Sequence, residues 1–383
     1  MVAETEWPLP PLGLYIHLPW CVHKCPYCDF NSHPLRGGLP SGKYIDRLIE
    51  DLEEESPYIA GRTLDSVFIG GGTPSLFSGQ EIGRILQGVG KQIELAPDAE
   101  ITLEANPGTI ERDSFTAYAQ AGVNRVSLGV QSFDDSALRE LGRIHDARAA
   151  HQALESLHEA GIENFNIDLM YGLPGQDVES AMRDLETALA ARPSHISHYQ
   201  LTLEPNTAFA HDPPTLPCEE VCWEMYSSAV DLLSAQGLQN YEISAWAQPG
   251  SQCWHNLNYW RYGDFIGIGA GAHGKLTHAE DRVISRTRRP RQPRVYLSAS
   301  EPTQRTQLEN PDRIFEFFLN RLRLREGFEV SDFEARTGLA FECVEKRVQD
   351  AMSRGLLERS GHCFVTTPLG WRFINDIQAL FLP

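Results

Sequence analysis

Positive charge is scarce in this sequence: its 383 residues carry 33 Lys and Arg against 52 Asp and Glu, a formal net charge of −19. Non-specific binding of nucleic acid depends on neutralising phosphates with Lys and Arg, so general affinity for DNA or RNA is not expected. Long hydrophobic runs are missing as well. No stretch approaches the roughly 20 apolar residues of a membrane-spanning helix, and Glu4 and Glu6 stand where a targeting segment would be basic. The expectation is a cytosolic (cytoplasmic) chain with no stable membrane anchor. Cysteine is thin outside one loop. Cys218, Cys222, Cys253, Cys343 and Cys363 are scattered, which is not the spacing of a disulfide framework, and each reads as a small buried hydrophobe.

The loop that does hold cysteine is dense. Cys21, Cys25 and Cys28 fall in Leu-Pro-Trp-Cys-Val-His-Lys-Cys-Pro-Tyr-Cys-Asp-Phe. Three thiolates on one short loop are one ligand short of a tetrahedral zinc site, for which Asp29, His23 or His33 could supply the fourth. They also suit an iron–sulfur cluster that leaves one iron open to chemistry.

With 42% hydrophobic and 22% charged residues, the chain is long enough for a large domain and a smaller one. Short apolar runs at Leu14–His17, Ser66–Gly70, Glu100–Ala105, Arg125–Gly129, Asn164–Met170 and His195–Leu203 alternate with amphipathic segments at Lys43–Glu55, Gln80–Ile93, Arg112–Ala121, Ala147–Ala160, Val178–Ala190 and Glu219–Gln236. Such repetition predicts an α/β fold with parallel strands. Six units are too few for a closed eight-stranded barrel, leaving a partial barrel or an open doubly wound sheet. Polar residues collect after the strands: Gly71, Gly72 and Thr73, then Glu104 and Asn106, Gln131 and Asp168. The carboxyl edge of a parallel sheet is where such folds place their sites, and the cysteine loop reaches that same edge.

After residue 245 comes a Trp-, Tyr- and Gly-rich stretch, Trp254–Gly274, and then a basic run from Arg282 to Arg294. The plain reading of that run is a solvated loop punctuated by Pro290 and Pro293; it also offers charge to an acidic partner or to porphyrin propionates. From Pro311, helical segments at Asp312–Leu324, Ser331–Thr337 and Glu342–Ser353 precede a hairpin around Ser360 and Gly361 and a last helix from Leu369. This resembles a winged helix, but the mixed charges of Glu342–Ser353 argue for packing or docking rather than DNA binding.

The spacing Cys-x-x-x-Cys-x-x-Cys, with Tyr27 before the last cysteine, resembles that of the radical S-adenosylmethionine superfamily through residues 13 to about 245. The resemblance implies a partial (β/α)6 TIM-like barrel with a C-terminal mainly helical, winged-helix-like domain. It also implies a [4Fe–4S] cluster on Cys21, Cys25 and Cys28, whose fourth iron is chelated by S-adenosyl-L-methionine, and a reductant that feeds the cluster. Nearly the whole chain is similar to the narrower family of oxygen-independent coproporphyrinogen III oxidase and its relatives. That likeness assigns S-adenosylmethionine contacts to Tyr15, Gly71, Gly72, Thr73, Glu104, Gln131, Arg143 and Asp168, with Thr202 and His273 nearby. Taken singly, the glycines could mark only a tight turn, Asp168 a helix cap and Arg143 a surface charge.

Two departures separate the chain from the oxidase of that family: Phe30 stands where the oxidase has a further cysteine, and the oxidase has a longer segment ahead of its cysteine loop. The segment His255-Asn256-Leu257-Asn258-Tyr259-Trp260 resembles instead the haem-chaperone branch. A neutral imidazole can ligate haem iron, and Trp254, Tyr259 and Trp260 offer flat apolar faces. The expected haem ligand is therefore His255, with Cys253 as runner-up. Haem would pass to acceptor proteins, respiratory and membrane-bound ones included; radical decarboxylation of coproporphyrinogen III is the alternative. The expected organisation is a core over 1–245, a connecting segment over 246–310 and a C-terminal unit over 311–383.

Overall fold

The computed structural model describes residues 7–59, 61–108 and 114–383. Glu4, Glu6 and the expected helix start at Arg112 lie outside the described residues. Among the described residues, twelve strands build the main sheet: β1 (Leu12–Leu18), β2 (Thr63–Gly71), β3 (Glu94–Ala105), β4 (Arg125–Gln131), β5 (Phe165–Tyr171), β6 (His195–Gln200), β7 (Gln239–Asn240), β8 (Ala245–Ala247), β9 (Asp264–Ile268), β10 (His273–His278), β11 (Val283–Arg288) and β12 (Gln304–Gln307). Their spatial order is β12-β11-β10-β9-β1-β2-β3-β4-β5-β6-β8-β7. Strands β1 to β6 run parallel to one another, as the strand–helix repetition predicts, and β9 adds a parallel strand on the far side of β1. The remaining pairs are antiparallel, and the sheet ends on two edges as an open, partial barrel.

The strands are two-faced. Leu14, Ile16, Val67, Ile69, Val126, Leu128, Ile167 and Ile196 are buried in the main apolar cluster with helix residues such as Leu48, Ile85, Leu154 and Leu185. The intervening residues, among them Tyr15, Phe68, Arg125, Ser127, Asn166, Asp168 and His195, line a central cavity. Side chains alternate across a strand, so one period-two pattern builds an apolar outside and a polar inside. The helices on the outer face start where their caps dictate. Ser78 and Glu81 form a capping box on Gly79–Gln92, and Asp146 and Asp177 cap Ala147–Glu159 and Val178–Ala190.

The expected basic loop is the feature the structure corrects. Val283–Arg288 is a strand of the sheet, and three arginines in or next to it are paired. Arg286 bonds Glu316, Arg288 bonds Gln304, and the buried Arg289 meets Asp51 at 2.9 Å and Glu55 at 2.7 Å. Opposite charges contributed by the helix Ser41–Glu55 draw Arg289 into the fold, while Arg282, Arg288, Arg291 and Arg294 stay exposed.

Toward the C-terminus, helices Asn310–Arg321, Val330–Thr337 and Glu342–Ser353 precede an antiparallel hairpin of Leu357–Ser360 and Cys363–Thr366. Phe317, Phe318, Phe328, Phe333 and Phe364 centre a second apolar cluster, which also takes in Trp7, Tyr262 and Ile284 from outside the expected C-terminal unit.

Candidate functional site: one cavity with two ends

The cysteine loop leaves the carboxyl end of β1 and is tied off at its base. Trp20 and Cys21 pair with His33 and Pro34, and the backbone N–H of Leu35 donates to the Cys21 carbonyl at 2.8 Å. From inside the barrel, Tyr15 donates its hydroxyl proton to His17 Nδ1 at 2.9 Å, and His17 Nε2 donates to the Asn31 carbonyl at 2.9 Å. A carbonyl only accepts, which fixes the His17 tautomer; burial pushes its pKa down to about 4 and keeps it neutral. Asn31 then donates to the Ala270 and Arg291 carbonyls, anchoring the loop's far side. All three thiols are free; Cys21 is buried and the other two partly so. Burial raises the Cys21 and Cys28 pKa values. Thiolates there would call for a cationic partner.

Around this loop the strand ends converge. Gly72 donates to the Leu18 carbonyl and Thr73 to the Trp20 carbonyl, stitching β2 to the loop. Gly71 adopts φ +120°, and a Cβ there would lie 2.5 Å from the His17 ring; a Cβ on Gly72 would lie 2.5 Å from the Trp20 carbonyl oxygen. Glycine is required at both positions by contact. The Gly71 N–H donates to Glu104 Oε2 at 3.0 Å. Burial nevertheless pushes the Glu104 carboxyl up to about 7, and nearby Asp168 adds to the rise. Asp168 accepts from Asn166 at 2.8 Å and Ser127 at 3.1 Å. Gln131 has φ 73° at a register shift in β4 and accepts from the Tyr199 hydroxyl at 2.6 Å. Bulges and positive-φ residues of this kind concentrate at functional sites. Arg143 donates to the Gly129 carbonyl at 2.6 Å and points Nη1 at Cys25 Sγ, 3.7 Å away, while its buried Nε has no partner.

The opposite end of the cavity is closed by the helix Trp254–Trp260. Glu100 caps that helix, accepting from the backbone N–H of Trp254 at 3.0 Å and of His255 at 3.2 Å. His255 is 1% exposed, with Nδ1 hydrogen-bonded to Ser66 and Nε2 to Tyr259, each at 2.9 Å, and its ring stacks on Phe68. Burial first, and then Arg125, push its pKa down to about 3. Cys253 is buried, its thiol donates to Glu100 at 3.4 Å, and burial pushes its pKa up to about 12.

The three cysteines, the eight residues expected around S-adenosylmethionine and His255 all line this single cavity of about 540 Å³, a size within the range of small-molecule sites. Thr202 reaches it too, and Phe30 lies at its lining with 59% exposure; His273 and Cys253 do not line it. Among the described residues no three His, Cys, Asp or Glu side chains gather at a single-ion site. Three thiolates on one loop fit a cluster in which each takes a different iron. A buried carboxyl near ionisation and an unpartnered Arg143 Nε suit a ligand carrying both a cation and a carboxylate.

Several lining residues were missed from the sequence: Arg125, Ser127, Asn166, His195, Ser197 and Tyr199. Asn166 Nδ2 donates to Ser127 and Asp168, so its Oδ1 accepts from His195 Nδ1 at 2.7 Å and from Ser197. The available signal was polar residues alternating with apolar ones inside otherwise apolar strands.

Comparison with known proteins matches residues 15–188 to the Radical SAM superfamily and residues 308–373 to the HemN C-terminal domain. The chain is 48% identical over 374 residues to the heme chaperone HemW of Escherichia coli (strain K12), covering 98% of this chain and 99% of that protein. It is 46% identical to the heme chaperone HemW of Haemophilus influenzae over 378 residues, covering 98% of each. Among solved structures, coproporphyrinogen III oxidase (HemN) from Escherichia coli, described as a radical SAM enzyme, superposes with a TM-score of 0.82 at 24% identity, covering 98% of this chain and 91% of that one. At that identity the likeness is one of fold.

Proposed function

Because the chain belongs to the HemW family of the radical SAM superfamily, we propose that it is a haem chaperone that holds a [4Fe–4S] cluster and S-adenosylmethionine and passes haem to acceptor proteins, respiratory ones among them. The observation that supports it best is the shared cavity: the cysteines, the strand-end polar residues and His255 face one space. Cys21, Cys25 and Cys28 would hold the cluster. Gly71, Gly72, Thr73, Glu104, Gln131, Arg143, Asp168 and Tyr15 would surround S-adenosylmethionine. When bound, the two groups supply one-electron chemistry.

The protein's part is placement and charge. Glu104, pinned by the Gly71 N–H, offers a carboxylate to a cationic ligand, and Arg143 offers its free Nε to a carboxylate beside Cys25. His255 is the proposed haem ligand. It is neutral at physiological pH, as ligation requires, but both ring nitrogens are hydrogen-bonded, so its Nε2 becomes available only when the bond to Tyr259 opens. Cys253 is disfavoured as the ligand, because burial and its bond to Glu100 keep it a thiol.

An anaerobic assay separates this reading from the oxidase. Protein with a reduced cluster and S-adenosylmethionine should transfer haem to an apo-haem protein and form no protoporphyrinogen IX from coproporphyrinogen III; formation of that product would establish the oxidase instead. Replacing Cys21, Cys25 or Cys28 by Ala should abolish the visible absorption of the cluster, and a variant that kept it in full would refute the ligand assignment.

A further inference from the structure

Arg125 is the first residue of β4, is 2% exposed and lines the cavity. Its Nε has no hydrogen-bond partner, and its one salt bridge among the described residues is long, 3.8 Å to Glu100 Oε2. A guanidinium carries five N–H donors, and a buried one left short of acceptors costs more than an ordinary hydrogen bond returns. The neighbours do not take up this deficit. Glu100 already accepts from Trp254, His255 and Cys253, while Asn166 and His195 are spent on each other, on Ser127, Asp168 and Ser197, and on Tyr241. Nor does Arg125 duplicate Arg143. It precedes Gly129, the anchor of Arg143, by four residues of the same strand, roughly 13 Å deeper at about 3.3 Å per residue.

We propose that Arg125 is the receiving group of a carboxylate-binding subsite on the cavity floor, distinct from the strand-end contacts near the cysteines. A single carboxylate fits better than a phosphate dianion, because Glu100 and Asp168 already set two carboxyl groups around the guanidinium. A carboxylate brings two acceptor oxygens matched to the guanidinium fork. It has two possible sources, the propionate of a haem or a free small organic acid. The haem source rests on the reading of the preceding subsection, whereas the subsite itself does not.

The probe is sodium propionate, followed by saturation-transfer NMR on the full chain. Propionate should bind the wild type and its amide, propionamide, should not. Arg125→Gln should lose at least tenfold in affinity and Arg125→Lys should retain weakened binding. Glu100→Gln, which removes the competing carboxylate, should bind more tightly than wild type. Absence of propionate binding to the wild type, or equal affinity in folded Arg125→Lys and Glu100→Gln, would overturn the subsite. Competition then identifies the source. Displacement by haem but not by haem dimethyl ester assigns the carboxylate to haem, and displacement by neither assigns it to a free acid. Displacement by both makes the contact one with the macrocycle and overturns the proposal. Failure of haem to bind at all would sink the chaperone reading alone, since the propionate titration needs no haem.

Discussion

Glu104 is held at the edge of ionisation. Its carboxyl is pushed from 4.5 to about 7 by burial, with Asp168 adding to the rise and the Gly71 N–H working against it. In the ligand-free protein this raised pKa gives stability that is complete below the unfolded value and is lost as pH climbs through about 7. A cationic ligand prefers the ionised form, so binding expels a proton below that pH. Affinity for S-adenosylmethionine should therefore rise about tenfold per unit from pH 5.5 toward 7 and then level off. Calorimetry across that range tests this, and Glu104→Gln should bind weakly with a flat profile. A wild-type profile as flat as that of the variant would remove Glu104 from the site.

At the scale of elements, the cysteine loop and the end of β2 fit one another by close backbone contact. A methyl on Gly72 would strike the Trp20 carbonyl, and backbone cannot rotate away as a side chain can. Overpacking of this kind costs about 1–3 kcal/mol, and the strain falls on the residue next to Cys21. Gly72→Ala should thus lower cluster content by more than its small shift in melting temperature implies; iron and sulfide analysis beside a thermal melt would check it, and full cluster content would contradict it. Such a contact cannot be read from sequence, because Gly70-Gly71-Gly72 looks the same whether it serves a turn or a ligand. The strands were legible from their apolar runs: β1, β2, β4 and β5 fall within a few residues of expectation. Their inward face was legible only in part. Glu104, Gln131 and Asp168 stood out as polar residues late in strands. Arg125, Asn166 and His195 sit at or near strand starts and required tracing the alternation to the opposite end.

At the scale of the molecule, the acidic chain spends several of its cations internally. Arg289 binds Asp51 and Glu55, Arg286 binds Glu316, and Lys275 is buried against Asp264. These pairings join residues more than two hundred positions apart in one case, which is why the basic run read as a loop from local pattern alone. The parallel strand β9 was hidden for the same reason: Asp264–Ile268 is short and follows an aromatic stretch, and only its pairing with β1 makes it part of the barrel. The resulting cavity has the cysteine loop at one end and His255 at the other, closed by a helix that Glu100 caps. The haem chaperone reading comes to one test, an anaerobic titration of cluster-loaded protein with haem, followed by absorbance for wild type and His255→Ala. Wild type should bind haem saturably, and His255→Ala should bind it about tenfold more weakly with the cluster spectrum unchanged. Unaltered affinity in the variant would contradict the role of His255, and no saturable binding by wild type would contradict haem handling itself.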